Sequence, residues 1–299
     1  IISQQAITPD PTSNIPNGVT AHLSAVTADG TSLADYFGGI AYFTDLQGQL
    51  WKYNLSKNTL DDDNTNLFEL NLAFRAKGTL ANDRFGFNQV ATTVVQNDDG
   101  DDVSIFNYFG TGDQSRIQRR ISSINNRIFG VKDSDFPGHT LTDTGIGKTA
   151  LTSLNINAEE CTTDVTQNWY SDTYSKSSLV PEPKSGSVDW TKVIGRAGLF
   201  KKNVYFSIYR PESKSCPLTG SSQIIQISDG CGGVTEYNVG EGLVTAPVID
   251  NRGNIYAGVS NIPADKSVGG AGVDNITQLG DGEEAEGGVD FKSWREITY

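Results

Sequence analysis

The chain has 299 residues, 23 Lys and Arg against 36 Asp and Glu, a net charge of −13, 32 glycines, three cysteines and no methionine. That balance excludes a general phosphate-binding surface, which needs clustered Lys and Arg, and so argues against nucleic acid as a partner. No apolar run approaches the roughly 20 residues of a membrane-crossing helix, so no transmembrane segment is expected.

A chain without methionine is expected to be a piece of a longer product. It opens Ile1-Ile2-Ser3, with no basic stretch leading into an apolar core, so any targeting signal is expected upstream or already removed. A chain of this size buries roughly three quarters of its unfolded surface, which argues against disorder of the whole.

In chain order, short segments rich in Val, Ile, Phe and Tyr alternate with clusters of Gly, Asn, Asp and Ser, the pattern of an all-β protein. Strands are predicted over 40–44, 49–55, 67–74, 89–95, 103–109, 126–132, 193–200, 204–209, 223–228, 234–238, 243–250 and 254–259. About twelve strands suit roughly three to four propeller blades, or one sandwich. One short helix is predicted over 113–124, where Ile117, Ile121 and Ile124 recur at helical spacing. Hairpin turns fall at Thr44 to Gly48, Asn97 to Asp102 and Asp250 to Asn254, each offering a Gly where a positive φ is needed. Two polar stretches, 137–187 and 264–288, are expected to be surface excursions and not domain linkers. Arg116, Arg119 and Arg120, with Lys132 beyond, are expected to form a solvated face.

Cys216 and Cys231 flank the apolar run from Gln223 to Ile227, and Cys161 stands alone. Spacing by itself leaves two readings open: a bridge, worth about 3 kcal/mol in an oxidising compartment, or separate free thiols. The odd count leaves one cysteine free or paired with a part of the protein outside this chain.

The hairpin Ile40-Ala41-Tyr42-Phe43-Thr44-Asp45-Leu46-Gln47-Gly48-Gln49-Leu50-Trp51-Lys52-Tyr53-Asn54-Leu55 resembles the signature of the PilY family of type IV pilus biogenesis factors and tip-associated adhesins. Further matches follow in the family's order: Asn17-Gly18-Val19 before it, then Tyr108-Phe109-Gly110-Thr111-Gly112-Asp113 and Asn126-Arg127-Ile128-Phe129-Gly130-Val131-Lys132-Asp133. Asn203 to Pro211 with Cys216 and Cys231, and the close Lys292-Ser293-Trp294-Arg295-Glu296-Ile297, continue the series. The resemblance implies that residues 1–299 are the C-terminal part of a β-propeller domain, an incomplete set of blades with long surface loops at 137–187 and 264–288. The upstream part of the same protein would supply the missing blades. It also implies a Cys216–Cys231 disulfide. Alternation in the first hairpin places Tyr42, Leu50 and Trp51 against neighbouring blades, with Asp45 and Gly48 shaping the turn.

Family members commonly carry a calcium loop before that hairpin. The matching place here keeps only Asp29 and Asp35 as carboxylates, against the six to eight oxygens, roughly, that calcium takes. The loop with Asp99 and Asp101 is the alternative; for both places, the competing reading is a hydrogen-bonded or solvated turn without an ion. Gly145-Ile146-Gly147-Lys148-Thr149 lacks the earlier Gly of a phosphate-binding loop, and His22 and His139 accompany no nucleophile motif. Trp169, Tyr170 and Tyr174 could bind a partner or a sugar, or pack onto the propeller.

The expected function is that of a non-enzymatic extracellular protein at the pilus tip. The resemblance implies contact with minor pilins and with a host or abiotic surface, in support of pilus extension, twitching motility and adhesion. The alternatives are a quinoprotein-like propeller dehydrogenase, for which no cofactor-holding constellation is found, and an extracellular glycan-binding module.

Overall fold

The computed structural model describes residues 4–27, 39–55, 68–96, 103–133, 152–153, 169–172, 190–212, 220–228, 234–260 and 276–280. Within them the chain is all-β, with seventeen strands and no helix, and four sheets follow one another along the sequence.

The first sheet is an antiparallel meander of Ser24–Thr27 (β1), Gly39–Thr44 (β2), Gln49–Asn54 (β3) and Leu70–Arg75 (β4). The second joins Ala91–Gln96 (β5), Val103–Gly110 (β6) and Arg127–Asp133 (β7) antiparallel. It is extended by Thr152–Ser153 (β8) and Trp169–Asp172 (β9), with β9 antiparallel beside β7 and β8 parallel beyond it. In the third, Lys192–Val193 (β10) and Gly198–Phe200 (β11) lie end to end along Asn203–Pro211 (β12), followed by Gly220–Ser228 (β13) and Val234–Glu241 (β14). Val248–Ile249 (β15), Ile255–Gly258 (β16) and Ile276–Gly280 (β17) make the fourth.

Strand pleating explains how the sheets stack. Successive side chains point to opposite faces, so an apolar run with no polar alternation must be buried on both. In β6, Ile105 and Phe109 enter a core shared with Tyr42, Leu50 and Phe74 of the first sheet, while Phe106 and Tyr108 enter a second core with Val204, Phe206 and Ile208 of β12. Strand β12 repeats the division, sending Tyr205 and Tyr209 into a third core with Ile255 and Ala257. Phe129 anchors the first layer, with ring centroids 5.1 Å from Phe74 and 5.0 Å from Phe109. Each such fully buried aromatic stabilises by roughly 1.5–3 kcal/mol. The sheets therefore stack face to face in chain order, and strands on one edge of each are neighbours: β1 touches β5, β5 touches β11, and β11 touches β15.

Four expectations are corrected. Residues 113–124 form turns: Asp113 Oδ1 accepts the Ser115 N–H at 3.0 Å, and the amides of Arg119 and Ile124 close on carbonyls only three residues back. Ile117 packs against the third core while Ile124 is buried away from it, so the isoleucines share no single stripe. Residues 137–187 are not wholly an excursion, because they supply β8 and β9, and 264–288 contains β17. The strand predicted at 193–200 is split, since the Val193 N–H is drawn to Thr111 O at 3.1 Å and residues 194–197 lie between β10 and β11. The basic cluster turns partly inward, with Arg119 Nη1 bonded to Leu80 O at 2.7 Å and Arg120 5.5 Å from the Trp190 ring centroid.

Candidate functional site

The first hairpin is held by its own polar residues. Asp45 O accepts the Gly48 N–H at 3.0 Å, with Gly48 at φ 72°. The Asp45 carboxylate accepts the Gln49 N–H (3.0 Å), Gln49 Nε2 (2.8 Å) and the indole Nε1 of Trp51 (2.9 Å). Burial pushes the Asp45 carboxyl above the usual range, against the pull of these donors. Gln47 reaches outward, accepting the Asp10 N–H and donating to Ile15 O, both at 2.7 Å, so that the N-terminal segment is strapped across the turn.

The turn from Asp250 to Asn254 repeats this chemistry in the fourth sheet. Asp250 O accepts the Gly253 N–H at 3.0 Å, with Gly253 at φ 89°. Its carboxylate takes the Asn254 N–H at 2.8 Å, Asn254 Nδ2 at 2.7 Å and, six positions on, the hydroxyl of Tyr256 at 3.5 Å. Asp-x-x-Gly followed by an amide residue, an aliphatic and an aromatic is thus one device used twice. Sequence reading located both turns without seeing that they match.

Two buried charge clusters join the sheets. Lys52 of β3 lies 2.6 Å from Asp133 Oδ2 of β7, both side chains 1% exposed, and the Tyr42 hydroxyl donates to the same oxygen at 2.6 Å. Burial and the Asp133 charge push the Tyr42 phenol far above its ordinary value. The second cluster gathers where three sheets meet. Asp83, on the loop leaving β4, is buried and adopts φ 65°. It receives Lys192 Nζ from β10, the Asp113 N–H at 3.2 Å, Asn126 Nδ2 at 3.3 Å and Arg119 Nη1 at 3.4 Å. Burial pulls the Lys192 amine below its ordinary value even though Asp83 opposes the shift.

A cleft of about 320 Å³ opens between β1, β5 and the residues leading into β11. Leu23, Ser24, Gln89, Thr92, Arg196 and Leu199 are among its walls. Leu23 is 50% exposed. Gln89 Nε2 donates to Leu23 O at 3.1 Å, and Arg196 Nη1 donates to Gln89 Oε1 at 3.3 Å, which sets one guanidinium at the rim. An open cleft with exposed apolar and cationic groups suits binding.

Asp29, Asp35, Asp99, Asp101, Cys161, Cys216, Cys231, His139 and residues 145–149 lie outside the described residues. His22 is exposed. Trp169, expected in a polar excursion, is 2% exposed and packs 5.9 Å from Tyr108, centroid to centroid. Among the described residues no group of three or more His, Cys, Asp or Glu could hold a metal ion, and no helix is long and apolar enough to cross a membrane. Sequence reading missed Asp83 and Lys192 altogether. Lys52, Asp113, Asn126 and Asp133 stand inside its motifs, where a polar residue within an apolar strand was the available signal.

No family model and no curated protein matches the chain. Among solved structures it is similar to the crystal structure of the Pseudomonas aeruginosa PilY1 C-terminal domain, with a TM-score of 0.49 at 14% identity. The match covers 83% of this chain and 60% of that one, so the chain spans well short of the whole solved domain.

Proposed function

We propose that the chain is part of a β-propeller in a PilY-type pilus tip factor and acts as a non-enzymatic, extracellular binding scaffold. The observation that carries this reading is the side-by-side placement of β1, β5, β11 and β15, each on one edge of its sheet in a stack of four successive sheets. Blades around a common centre place their innermost strands in that way. The twin Asp-x-x-Gly turns in the first and fourth sheets support a blade repeat, and the ordered sequence motifs support the family. Rigid sheets that carry long connections suit binding more than chemistry. In this reading minor pilins are the partners at the tip, and a host or abiotic surface is the target during adhesion and twitching. Calcium at Asp29 and Asp35, or at Asp99 and Asp101, and the Cys216–Cys231 bridge belong to the same proposal. Elemental analysis and thiol titration of the purified protein test them.

The decisive experiment measures binding of the purified chain to a panel of minor pilins, with Leu23→Asp and Arg196→Glu in the cleft and Val248→Asp as an exposed control elsewhere. The cleft variants are expected to bind at least about tenfold more weakly, ~1.4 kcal/mol, with unchanged melting temperature. Absence of binding to every minor pilin, together with normal piliation and twitching in a deletion strain, would overturn the reading.

A further inference from the structure

We propose that Lys192 and Asn126 become joined by an intramolecular isopeptide bond, with Asp83 carrying the protons. The proposal is independent of what the protein binds.

The geometry places all three groups at one point. Lys192 and Asp83 are 0% exposed and Asn126 is 2% exposed. Lys192 Nζ and Asn126 Nδ2, delivered by different sheets, both donate to the same oxygen, Asp83 Oδ2, the second at 3.3 Å. The Asn126 side-chain oxygen accepts the Thr111 hydroxyl at 3.2 Å, which polarises the carboxamide carbon toward attack. Asp83 is fixed by the Asp113 N–H at 3.2 Å and by Arg119. A simple structural ion pair would require only Lys192 and Asp83. Here a carboxamide is held against the same carboxylate, in a place shut off from water.

The chemistry balances without a co-reactant. Asp83 takes a proton from the Lys192 ammonium, and burial favours the neutral amine this leaves. Nζ then attacks Cγ of Asn126. The C–Nδ2 bond breaks as Asp83 hands its proton to the departing nitrogen, and the amide nitrogen gives up one further proton. One amide link forms and one ammonia, leaving as ammonium, is released. Nothing is oxidised or reduced. Fixed proximity supplies the rate, as in other intramolecular reactions, because Lys192 Nζ and Asn126 Nδ2 are both held on Asp83 Oδ2.

The test is intact-mass and peptide mass spectrometry on the folded full chain. The expected mass falls below the sequence mass by one ammonia, and proteolysis yields a branched peptide that joins the segment holding Lys192 to the segment holding Asn126. Lys192→Arg keeps the positive charge but cannot form the bond, and should show full sequence mass with an unchanged β-sheet circular dichroism spectrum. A wild-type chain at full sequence mass, with both residues on separate linear peptides, overturns the proposal. So does a link from Lys192 to Asp83 with loss of water. The wild-type measurement decides the matter even if a variant fails to fold.

Discussion

The indole of Trp169 lies over Gly130, its registered partner across β7 and β9, so closely that a Cβ at position 130 would stand 2.2 Å from Trp169 Cε2. Gly130→Ala must therefore displace the ring, and is expected to destabilise by roughly 1–3 kcal/mol. Trp169→Ala leaves a cavity beside Tyr108 and should cost roughly 3–5 kcal/mol. Urea unfolding of both single variants and the double checks this. The double should cost less than the sum, because the overlap and the cavity concern the same space.

Asp45 and Asp250 build the same turn at different depths. Asp45→Ala leaves the Gln49 amide groups and the Trp51 indole without their acceptor in a buried site, and should cost at least about 2 kcal/mol. Asp250→Ala acts at a half-buried position and should cost under about 1 kcal/mol. Thermal denaturation of the pair would show whether burial sets the difference. Equal losses would refute it.

Lys52 balances Asp133 in a dry core. Lys52→Ala leaves that buried carboxylate with the Tyr42 hydroxyl but without its counter-charge, and should destabilise by roughly 3–5 kcal/mol. The double replacement Lys52→Met with Asp133→Leu removes both charges, and should recover most of the loss. Denaturant melts of the three proteins make the comparison.

Burial pushes the Asp113 carboxyl up, but its bonds to Ser115 and Arg116 overcome that and hold it below its ordinary value of 3.8. A lowered folded value means the unfolded chain binds the proton first as acid is added. The carboxylate's contribution is therefore complete above pH 3.8 and is lost as pH falls through the folded value. The stability gap between wild type and Asp113→Asn should be widest near neutral pH and close under strong acid. Unfolding midpoints measured from pH 7 downward test the sign.

Much of the fold was legible because strands such as Ile105 to Phe109 and Val204 to Tyr209 are apolar on both pleated faces, which only a strand between two layers requires. Strand β9 was not. Trp169 and Tyr170 stand in a polar stretch, and what makes them a strand is the bare edge of β7 with Gly130 waiting for an indole, a tertiary fact. The helix expected at 113–124 fails for a related reason: Asp113 binds the Ser115 amide and side chains from the segment reach Leu80 and Tyr209, so local periodicity loses to distant partners. In the polar clusters, Lys52 and Asn126 were visible as letters within motifs, whereas Asp83 sits in an unremarkable loop and Lys192 follows a stretch with no period. Contacts over 109 positions, as between Asp83 and Lys192, leave no local trace.

The junction at Asp83 also decides how the molecule would carry a mechanical load. A loop from the first sheet, Asn126 and Asp113 from the second and Lys192 from the third all end on one carboxylate, so tension on any of these sheets is passed to the other two. The fourth sheet is attached by an apolar layer around Tyr205, Ile224 and Ile255, by the contacts of β11 with β15 and of β14 with β17, and by the Ser207 hydroxyl on Thr245 O at 2.7 Å, with no buried ion pair among these. In a single-molecule pulling experiment the fourth sheet should peel away at low force, and the remaining three should yield together in one larger step.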